Sequence, residues 1–215
     1  MKLFWTPASP FTRKVSVCAR ELGLWERIEI APTTWPLTWG YQTVPFTPGL
    51  AETNPVARIP TLVTDDGAEL GDSTLICMHL DAVAGGNRII PAGADAWRMW
   101  SLYAIADGMI EAQIAMRAEM LRPEAFRMDS FLAKQRDRIR RCLDRLEARV
   151  DELACAAGQT PDLAMITTGI ALGYQDWRSW LFDYRPGRPR ITAWAERFAE
   201  RPAMQATAPA ETPER

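Results

Sequence analysis

Histidine is almost absent from this chain of 215 residues, which contains His79 alone. A mechanism that needs two imidazoles is therefore excluded, and a Ser-His-Asp triad would have to use this one residue. His79 falls in a helix-forming stretch, where a packing or surface role is the ordinary one. The chemistry of the protein is therefore expected to come from other side chains.

Cysteine and metal-binding patterns are equally sparse. The chain has four cysteines that lie far apart without a Cys-x-x-Cys pair: Cys18, Cys77, Cys142 and Cys155. Such spacing favours reduced thiols over a disulfide framework or a zinc site. The glycines of DDG and AGG lack the spacing and the lysine of a phosphate-binding loop. The sequence therefore predicts neither a metal site nor a phosphate-binding loop.

An excess of one charge and a long apolar run are also missing. The 25 Lys and Arg residues nearly balance 27 Asp and Glu residues, for a net charge of −2. This balance creates no global field that would attract nucleic acid or anionic lipid. No uncharged apolar run approaches the roughly 18 residues of a membrane span, and Pro7, Arg13 and Lys14 interrupt any secretory signal. We therefore expect a soluble, cytoplasmic protein with no nucleic-acid and no membrane partner.

The first part of the chain alternates strand and helix signals. Residues 2–5 form a short apolar strand candidate, and Ser9 with Pro10 offers an N-cap and an N1 proline for a helix through about Leu22. Residues 26–30 alternate polar and apolar side chains, as a half-buried strand does. Because this strand follows the helix directly, the pattern predicts a parallel β-α-β unit.

Two further elements complete the first domain. Residues 31–53 contain so many prolines and glycines that they predict a long loop with at most one helical turn. An Asp-Gly pair at residues 66–67 separates β-prone residues 61–64 and 68–70, which predicts a hairpin. A further helix is expected to begin near Asp72 and Ser73.

The composition changes after residue 84. Residues 85–94 are rich in Gly, Asn, Pro and Ala and read as a linker. Apolar residues then recur three, four or seven positions apart, which predicts helices. The domains are therefore assigned to residues 1–84, α/β; 85–94, linker; and 95–215, all-helical with a mobile tail after Arg201.

Three short segments of the first domain are informative when they occur in this order along the chain: Ser9 with Pro10, residues 58–60, and Asp72 with Ser73. Each alone is an ordinary cap or an ordinary X-Pro bond. Together with the helical second domain, they resemble the cytosolic glutathione transferases, in particular bacterial members with a serine in the active site. The resemblance covers nearly the whole chain and runs through TPASPFTRKV, NPVARIPTLVTDDGAELGDSTLICMHLDA, YAIADGMIEA, IALGYQDWR and RPAMQATAP.

The resemblance implies a thioredoxin-like first domain that binds glutathione and a helical second domain that forms one wall of an open cleft for an electrophile. It also implies a homodimer and no cofactor, since glutathione is the co-substrate. One departure is visible at a core helix of the second domain, where Asp162 and Met165 replace the family's reciprocal capping box. Asp162 can still cap alone, so we expect the fold to be unchanged.

The reaction requires a thiolate. A free thiol with a pKa of about 8.5 is only about 3% ionised at pH 7, and lowering the pKa by about two units raises that fraction to roughly three quarters. A hydroxyl donor at a helix N-terminus can do this, and the resemblance places that role on Ser9. Thr6 and Thr12 are the alternative donors. A cysteine at position 9 would favour disulfide exchange, so serine favours conjugation.

The resemblance also assigns the residues that hold the tripeptide. If the bond before Pro60 is cis, the backbone of Ile59 can pair with the cysteinyl residue of glutathione. Ser73 can donate to the γ-glutamyl carboxylate at a helix start, Asp72 can accept from the α-ammonium, and Arg58 can reach the glycyl carboxylate.

The second-substrate pocket is predicted from aromatic and apolar side chains: Trp35 and Trp39 in the long loop, with Tyr103 and Asp107 on the first helix of the second domain. The leading hypothesis is a transferase that adds glutathione to a small hydrophobic electrophile. The alternative is a non-catalytic glutathione- or protein-binding module of the same fold. A third possibility is a thiol oxidoreductase, although Cys18 lies about two and a half helical turns from Ser9 and is expected to be a small buried residue.

Overall fold

The computed structural model describes residues 1–33, 47–156 and 158–211. The first domain is built from four strands and three helices. In chain order these are β1 (Lys2–Trp5), α1 (Pro10–Glu21), β2 (Glu29–Pro32), α2 (Leu50–Thr53), β3 (Thr61–Val63), β4 (Glu69–Leu70) and α3 (Ser73–Val83). The predicted hairpin is confirmed as β3 and β4, and the predicted helices begin at Pro10 and Ser73.

The four strands form one sheet in the order β2-β1-β3-β4. β1 and β2 are parallel, which confirms the predicted β-α-β unit. β3 runs antiparallel to β1, with Phe4 opposite Thr61, and β4 runs antiparallel to β3, with Leu62 opposite Leu70. The end of β1, the start of β3 and the end of β4 therefore lie at the same edge of the sheet. This is the thioredoxin-like arrangement that the sequence predicts.

The second strand begins later than the sequence predicts. Residues 25–27 form a 3-10 turn, and the strand starts at Glu29, opposite Lys2 of β1. Gly23 adopts a left-handed φ of 73°, which ends α1 and turns the chain back toward the sheet. The predicted start of this strand at residue 26 is therefore wrong. Pairing with β1 decides where the strand begins, and the alternation of polar and apolar residues does not show this.

The rest of the described chain is helical. It contains α4 (Ala94–Met120), α5 (Asp129–Ala148), α6 (Leu163–Trp177), α7 (Pro189–Ala199) and α8 (Pro202–Gln205). α4 and α6 are joined in the core by Gln113, whose Nε2 donates to the carbonyl oxygen of Ala171 at 2.9 Å. Within the three described ranges, no helix is long and apolar enough to cross a membrane. The domain limits at residues 84 and 94 stay a prediction.

Residues 201–207 contact α1, and Glu211 contacts Arg178 at the end of α6. Arg201 forms an ion pair with Glu21 at 2.9 Å. Arg13 donates from Nη2 to the carbonyl oxygen of Met204 at 3.0 Å, and Met204 is buried. These contacts hold the first part of the tail against α1 through partners that the tail's own sequence does not reveal. Mobility of the tail stays a prediction. The last four residues lie outside the described part of the chain.

Candidate functional site

Ser9 is the N-cap of α1. Its backbone is extended, with φ −92° and ψ 123°, and Pro10 occupies the first helical position. The Ser9 Oγ accepts a hydrogen bond from the Thr12 backbone N–H at 3.3 Å. A hydroxyl that accepts in a cap still has its own proton to donate. The half-buried Ser9 hydroxyl can therefore donate to a ligand in front of the helix N-terminus.

Thr12, one of the two alternative donors, is committed to the loop before α1. Its side chain is fully buried, and its hydroxyl contacts the carbonyl oxygens of Thr6 at 2.6 Å and of Ser9 at 2.9 Å. Both acceptors compete for a single hydroxyl proton. Thr12 therefore shapes the Thr6–Ser9 turn instead of facing a ligand. Thr6 is itself 3% exposed.

The segment before β3 is fixed by a residue that the sequence reasoning missed. The Ile59–Pro60 peptide bond is cis, which is the condition on which the predicted pairing of the Ile59 backbone with glutathione depends. Asn54 is buried, and its Nδ2 donates to the Arg58 carbonyl oxygen at 3.3 Å and to Thr61 Oγ1 at 2.9 Å. The available signal was the Asn-Pro dipeptide at residues 54–55, which favours turn initiation. Asn54 thus holds the ends of the loop that carries Arg58 and Ile59.

Asn54 also touches the loop after β4. A Cβ added at Gly71 would lie 2.7 Å from Asn54 Nδ2, too close for any real side chain. Gly71 directly precedes Asp72. Absence of a side chain at position 71 therefore lets the Asp72 segment approach the Arg58 segment closely.

Asp72 caps α3 and Ser73 begins it. The Asp72 Oδ1 accepts from the backbone N–H groups of Thr74 at 2.7 Å and Leu75 at 3.1 Å. Ser73 is buried, whereas Asp72 and Arg58 are exposed. The carboxylate is thus positioned by the helix that also presents Ser73.

The sheet brings the predicted glutathione-binding segments together. Ser9 follows the end of β1, Ile59 and Pro60 precede the start of β3, and Asp72 follows the end of β4. All three strand ends lie at the same edge. The structure therefore places one hydroxyl, one backbone segment with a cis peptide bond and one helix start side by side. Trp35 and Trp39 lie outside the described residues.

Tyr103 and Asp107 belong to a buried polar cluster that joins α1, α3 and α4. The centre is Lys14, fully buried, whose Nζ contacts Tyr103 Oη and Asp107 Oδ1, each at 2.7 Å. The Tyr103 hydroxyl also pairs with Thr74 Oγ1 at 2.6 Å. Sequence reasoning did not single out Lys14. The assignment of Tyr103 and Asp107 to the second-substrate pocket stays a prediction, and the structure gives both an additional role between the domains.

Electrostatics fix the protonation of this cluster. Burial on its own would lower the pKa of Lys14, but Tyr103 and the Asp107 carboxylate outweigh it and raise that pKa. Burial raises the pKa of Tyr103 to about 12. At neutral pH the Lys14 ammonium is therefore charged and the Tyr103 phenol is neutral.

The two thiols of the first domain are buried, which keeps them from reacting with a ligand. Cys18 on α1 and Cys77 on α3 are both fully buried. Burial, together with a hydrogen bond to Cys77, raises the pKa of the Cys18 thiol. The prediction that Cys18 is a small buried residue is confirmed. Across the described ranges, no three His, Cys, Asp or Glu side chains come together as a metal site.

Two cavities differ in their relation to these residues. A cavity of about 160 Å³ lies beside the β1–α1 loop, lined by Thr6, Pro7, Arg13 and tail residues 206–208 among others. A cavity of about 520 Å³ lies between residues 87–91 and the helical domain, where Arg98 and Cys155 line it. The larger one contains none of the predicted site residues, so size does not identify the site.

Comparison with known proteins agrees with the family resemblance and with the fold. Residues 3–88 match the family model "Glutathione S-transferase, N-terminal domain". A glutathione transferase family member from Pseudomonas fluorescens Pf-5, solved with bound glutathione, is 37% identical, has a TM-score of 0.85 and aligns over 98% of this chain and 99% of that one. A second Pf-5 structure, with bound S-(propanoic acid)-glutathione, is 36% identical with a TM-score of 0.83 over 98% and 100% of the two chains.

A curated relative extends the match to the full sequence. The uncharacterized GST-like protein YibF of Escherichia coli K12 is 29% identical over 211 residues, which are 97% of this chain and 98% of YibF. The sheet edge that gathers Ser9, Ile59 and Asp72, and the similarity over both domains, show that this chain belongs to the glutathione transferase family.

Proposed function

We propose that this protein binds glutathione at the edge of the first-domain sheet and activates its thiol for attack on a small hydrophobic electrophile. The observation that carries the proposal is Ser9, a half-buried N-cap whose Oγ accepts from Thr12 N–H at 3.3 Å and keeps its own proton. The 12 residues of α1 follow it directly. No cofactor is needed, because glutathione is the co-substrate.

Two features of the α1 N-terminus favour the thiolate. The first-turn N–H groups carry partial positive charge, and the Ser9 hydroxyl donates a hydrogen bond that is stronger to an anion than to a neutral thiol. The sulfur then attacks the electrophilic carbon, forming an S–C bond while a leaving group departs or an activated double bond takes up a proton. The thiol proton passes to solvent, and Ser9 stabilises the resulting charge without accepting the proton.

The remaining contacts hold the tripeptide. Ser73 donates to the γ-glutamyl carboxylate at the start of α3, and exposed Asp72 accepts from the α-ammonium. The backbone of Ile59 pairs with the cysteinyl residue, and Arg58 contacts the glycyl carboxylate. Bound glutathione in a 37% identical family member supports this assignment. The bound S-(propanoic acid)-glutathione of a 36% identical one supports an acceptor side that tolerates a charged group.

Calorimetric titration with glutathione tests the proposal, followed by conjugation assays against a panel of activated halides, epoxides and conjugated alkenes. A transferase binds glutathione and turns over at least one electrophile class. Binding without turnover across the panel favours the non-catalytic module. A mixed disulfide with a protein cysteine after treatment with oxidised glutathione favours the oxidoreductase, a role that the burial of Cys18 and Cys77 opposes.

The proposed active form is a homodimer that uses the outer face of α3. Large apolar side chains remain exposed there, with Leu75 at 51%, Met78 at 45% and Val83 at 38%, and Trp97 near the start of α4 is 77% exposed. Leu75 and Met78 are three residues apart and share one helix face. Apolar side chains grouped in this way are typical of protein interfaces.

Sedimentation velocity tests the dimer. The parent protein should sediment as a dimer, and Met78→Lys should shift it toward the monomer, because a charge would be buried in the interface. Phe126→Lys is the matched control, since Phe126 is 66% exposed but lies beyond the end of α4. A monomeric parent, or equal effects of both substitutions, would contradict the assignment.

A further inference from the structure

We propose that Arg178, at the C-terminal end of α6, binds the carboxylate of an anionic second substrate, and that Glu211 of the C-terminal tail fills this place when no such ligand is bound. The inference rests on the proposed function, because it names a chemical class of electrophile for the same site. A carboxylate-bearing acceptor differs from a purely hydrophobic one by a negative charge at the end away from the reacting carbon.

The Arg178 guanidinium is buried and only partly satisfied. The residue is 8% exposed, and its Nη1 contacts the Glu211 carboxylate at 2.5 Å. Nε donates to Tyr174 Oη at 3.3 Å, and the guanidinium stacks 3.5 Å from the centre of the Trp177 ring. Nη2 is buried without a hydrogen-bond partner in the described ranges.

A buried, partly unpaired guanidinium is well suited to bind a carboxylate. Arginine presents a planar fork of donors that matches both oxygens of one carboxylate. A buried donor without a partner costs free energy, so a ligand that satisfies both Nη atoms gains more than one that replaces a single bond. Glu211 meets Nη1 only, so Nη2 remains a buried donor that a ligand replacing Glu211 can satisfy.

The charges around Arg178 favour an anion. Arg117 on α4 is half-buried, and its pKa is lowered first by burial and also by the charge of Arg178. Burial lowers the pKa of Arg13 to about 10, and Arg13 forms no ion pair with a carboxylate in the part of the chain that is described. Arg117 and Arg178 therefore place two positive charges around Glu211 at this end of the helical domain.

The orientation of α6 brings Arg178 to the Ser9 end of the molecule. At the other end, Leu163 N–H donates to the Ile89 carbonyl oxygen at 2.8 Å, next to Arg88, whose Nη1 contacts the carbonyl oxygen of Leu22 at 3.5 Å. The start of α6 therefore lies near the end of α1. The two helices run in opposite directions.

A contact between Arg13 of α1 and Gly173 of α6 shows how the two helices are placed along their axes. A Cβ at Gly173 would lie 2.9 Å from Arg13 Nη1, so the Arg13 side chain reaches α6 at Gly173. Ser9 precedes Arg13 by four residues, and Arg178 follows Gly173 by five, which are about 6 and about 7.5 Å along the two axes. Ser9 and Arg178 thus face the same end of the helix pair. A carboxylate on Arg178 belongs to a ligand whose other end reaches the activated sulfur.

Glu211 has the properties of a replaceable partner. Its side chain is 67% exposed, whereas that of Arg178 is 9% exposed. An exposed carboxylate keeps much of its hydration when it pairs, so it is more easily displaced than a buried one. A ligand carboxylate that meets both Nη atoms can displace it. Glu211 is therefore a competitor within the same chain.

Two glutathione thioethers of equal length test the site. S-(2-carboxyethyl)glutathione carries a carboxylate where S-propylglutathione carries a methyl group, and calorimetry gives the affinity of each. The parent should bind the carboxyethyl compound several-fold more tightly than the propyl compound. Glu211→Gln should raise this preference to about tenfold or more, because hydrogen bonds to a charged group are worth about 1.5 to 3 kcal/mol and the competitor is gone. Arg178→Gln should abolish it.

The outcomes separate this inference from the proposed function. Failure to bind glutathione itself overturns both. Normal glutathione binding with equal affinity for the two thioethers in the parent and in Glu211→Gln overturns the carboxylate site alone, as does an undiminished preference in Arg178→Gln. If Arg178→Gln does not fold, the single variants Arg178→Lys and Glu211→Gln test the site instead. Lysine keeps the charge but not the planar fork of donors, so Arg178→Lys should retain only part of the preference for the carboxyethyl compound.

Discussion

Replacing Ser9 with alanine should lower kcat/KM for conjugation by about 100- to 1000-fold, the usual cost of removing one hydrogen-bond donor to a developing or bound anion. Glutathione should still bind, because in the proposed complex Ser73, Asp72 and the Ile59 backbone hold other parts of the tripeptide. The thiol of bound glutathione should ionise at higher pH in the variant. Ultraviolet absorbance of the thiolate, followed across a pH titration, measures this directly.

A cap elsewhere in the fold provides the control. Ser9→Ala also removes the hydrogen bond from Thr12 N–H, which is worth about 1 kcal/mol of stability. Asp162 caps α6 in the same way, with Oδ1 accepting from Met165 N–H at 2.8 Å. Asp162→Ala should therefore reduce the melting temperature by a similar amount and leave conjugation intact. Full activity of Ser9→Ala would assign the donor role to another hydroxyl, with Thr6 the first to examine.

Asp107→Ala is expected to lower the free energy of unfolding by about 3 kcal/mol. The Lys14 ammonium is fully buried, and its 2.7 Å contact with Asp107 is its ion pair in the described structure. Removing the carboxylate leaves an uncompensated charge between the two domains. The Asp107 side chain is itself 23% exposed, so solvent that enters the gap offsets part of the loss. Urea denaturation measures the change.

A double-mutant cycle shows whether the loss comes from the pair. Lys14→Met replaces the buried charge with an apolar side chain of similar length, so Lys14→Met with Asp107→Ala should be more stable than Asp107→Ala alone. The stability of Asp107→Asn should lie between that of the parent and that of Asp107→Ala, because the amide oxygen still accepts a hydrogen bond from Lys14 Nζ. Strictly additive effects, or a loss below about 0.5 kcal/mol for Asp107→Ala, would show that the ion pair does not hold the domains together.

Local signals carried the sequence predictions that are confirmed. Ser9 with Pro10 marks the start of α1, the Asp-Gly pair at residues 66–67 marks the β3–β4 hairpin, and Asp72 caps α3. Each is a short-range effect, in which a side chain meets a backbone N–H two or three residues away or a turn requires glycine. Their order along the chain, with the helical periodicity that follows, was enough to identify the family.

Contacts between distant residues were beyond such signals. Lys14 and Asp107 are 93 residues apart, and Arg13 and Met204 are 191 apart. Nothing in the spacing of either residue indicates its partner, because these pairs exist only once α1 lies between α3, α6 and the tail. The start of β2 at Glu29 and the commitment of Thr12 to the turn before α1 were decided in the same way, by a neighbouring strand and by the carbonyl oxygens that the turn presents.

The sequence by itself thus determined the fold class, the caps and the family to which the chain belongs. Only the tertiary structure decided that Tyr103 and Asp107 enclose a buried lysine, that Asn54 fixes the Arg58 segment, and that Arg178 meets the tail. The physical reason is that caps and turns are satisfied within a few residues, whereas a buried charge or an unpaired donor finds its partner only where the packing of separate elements brings one.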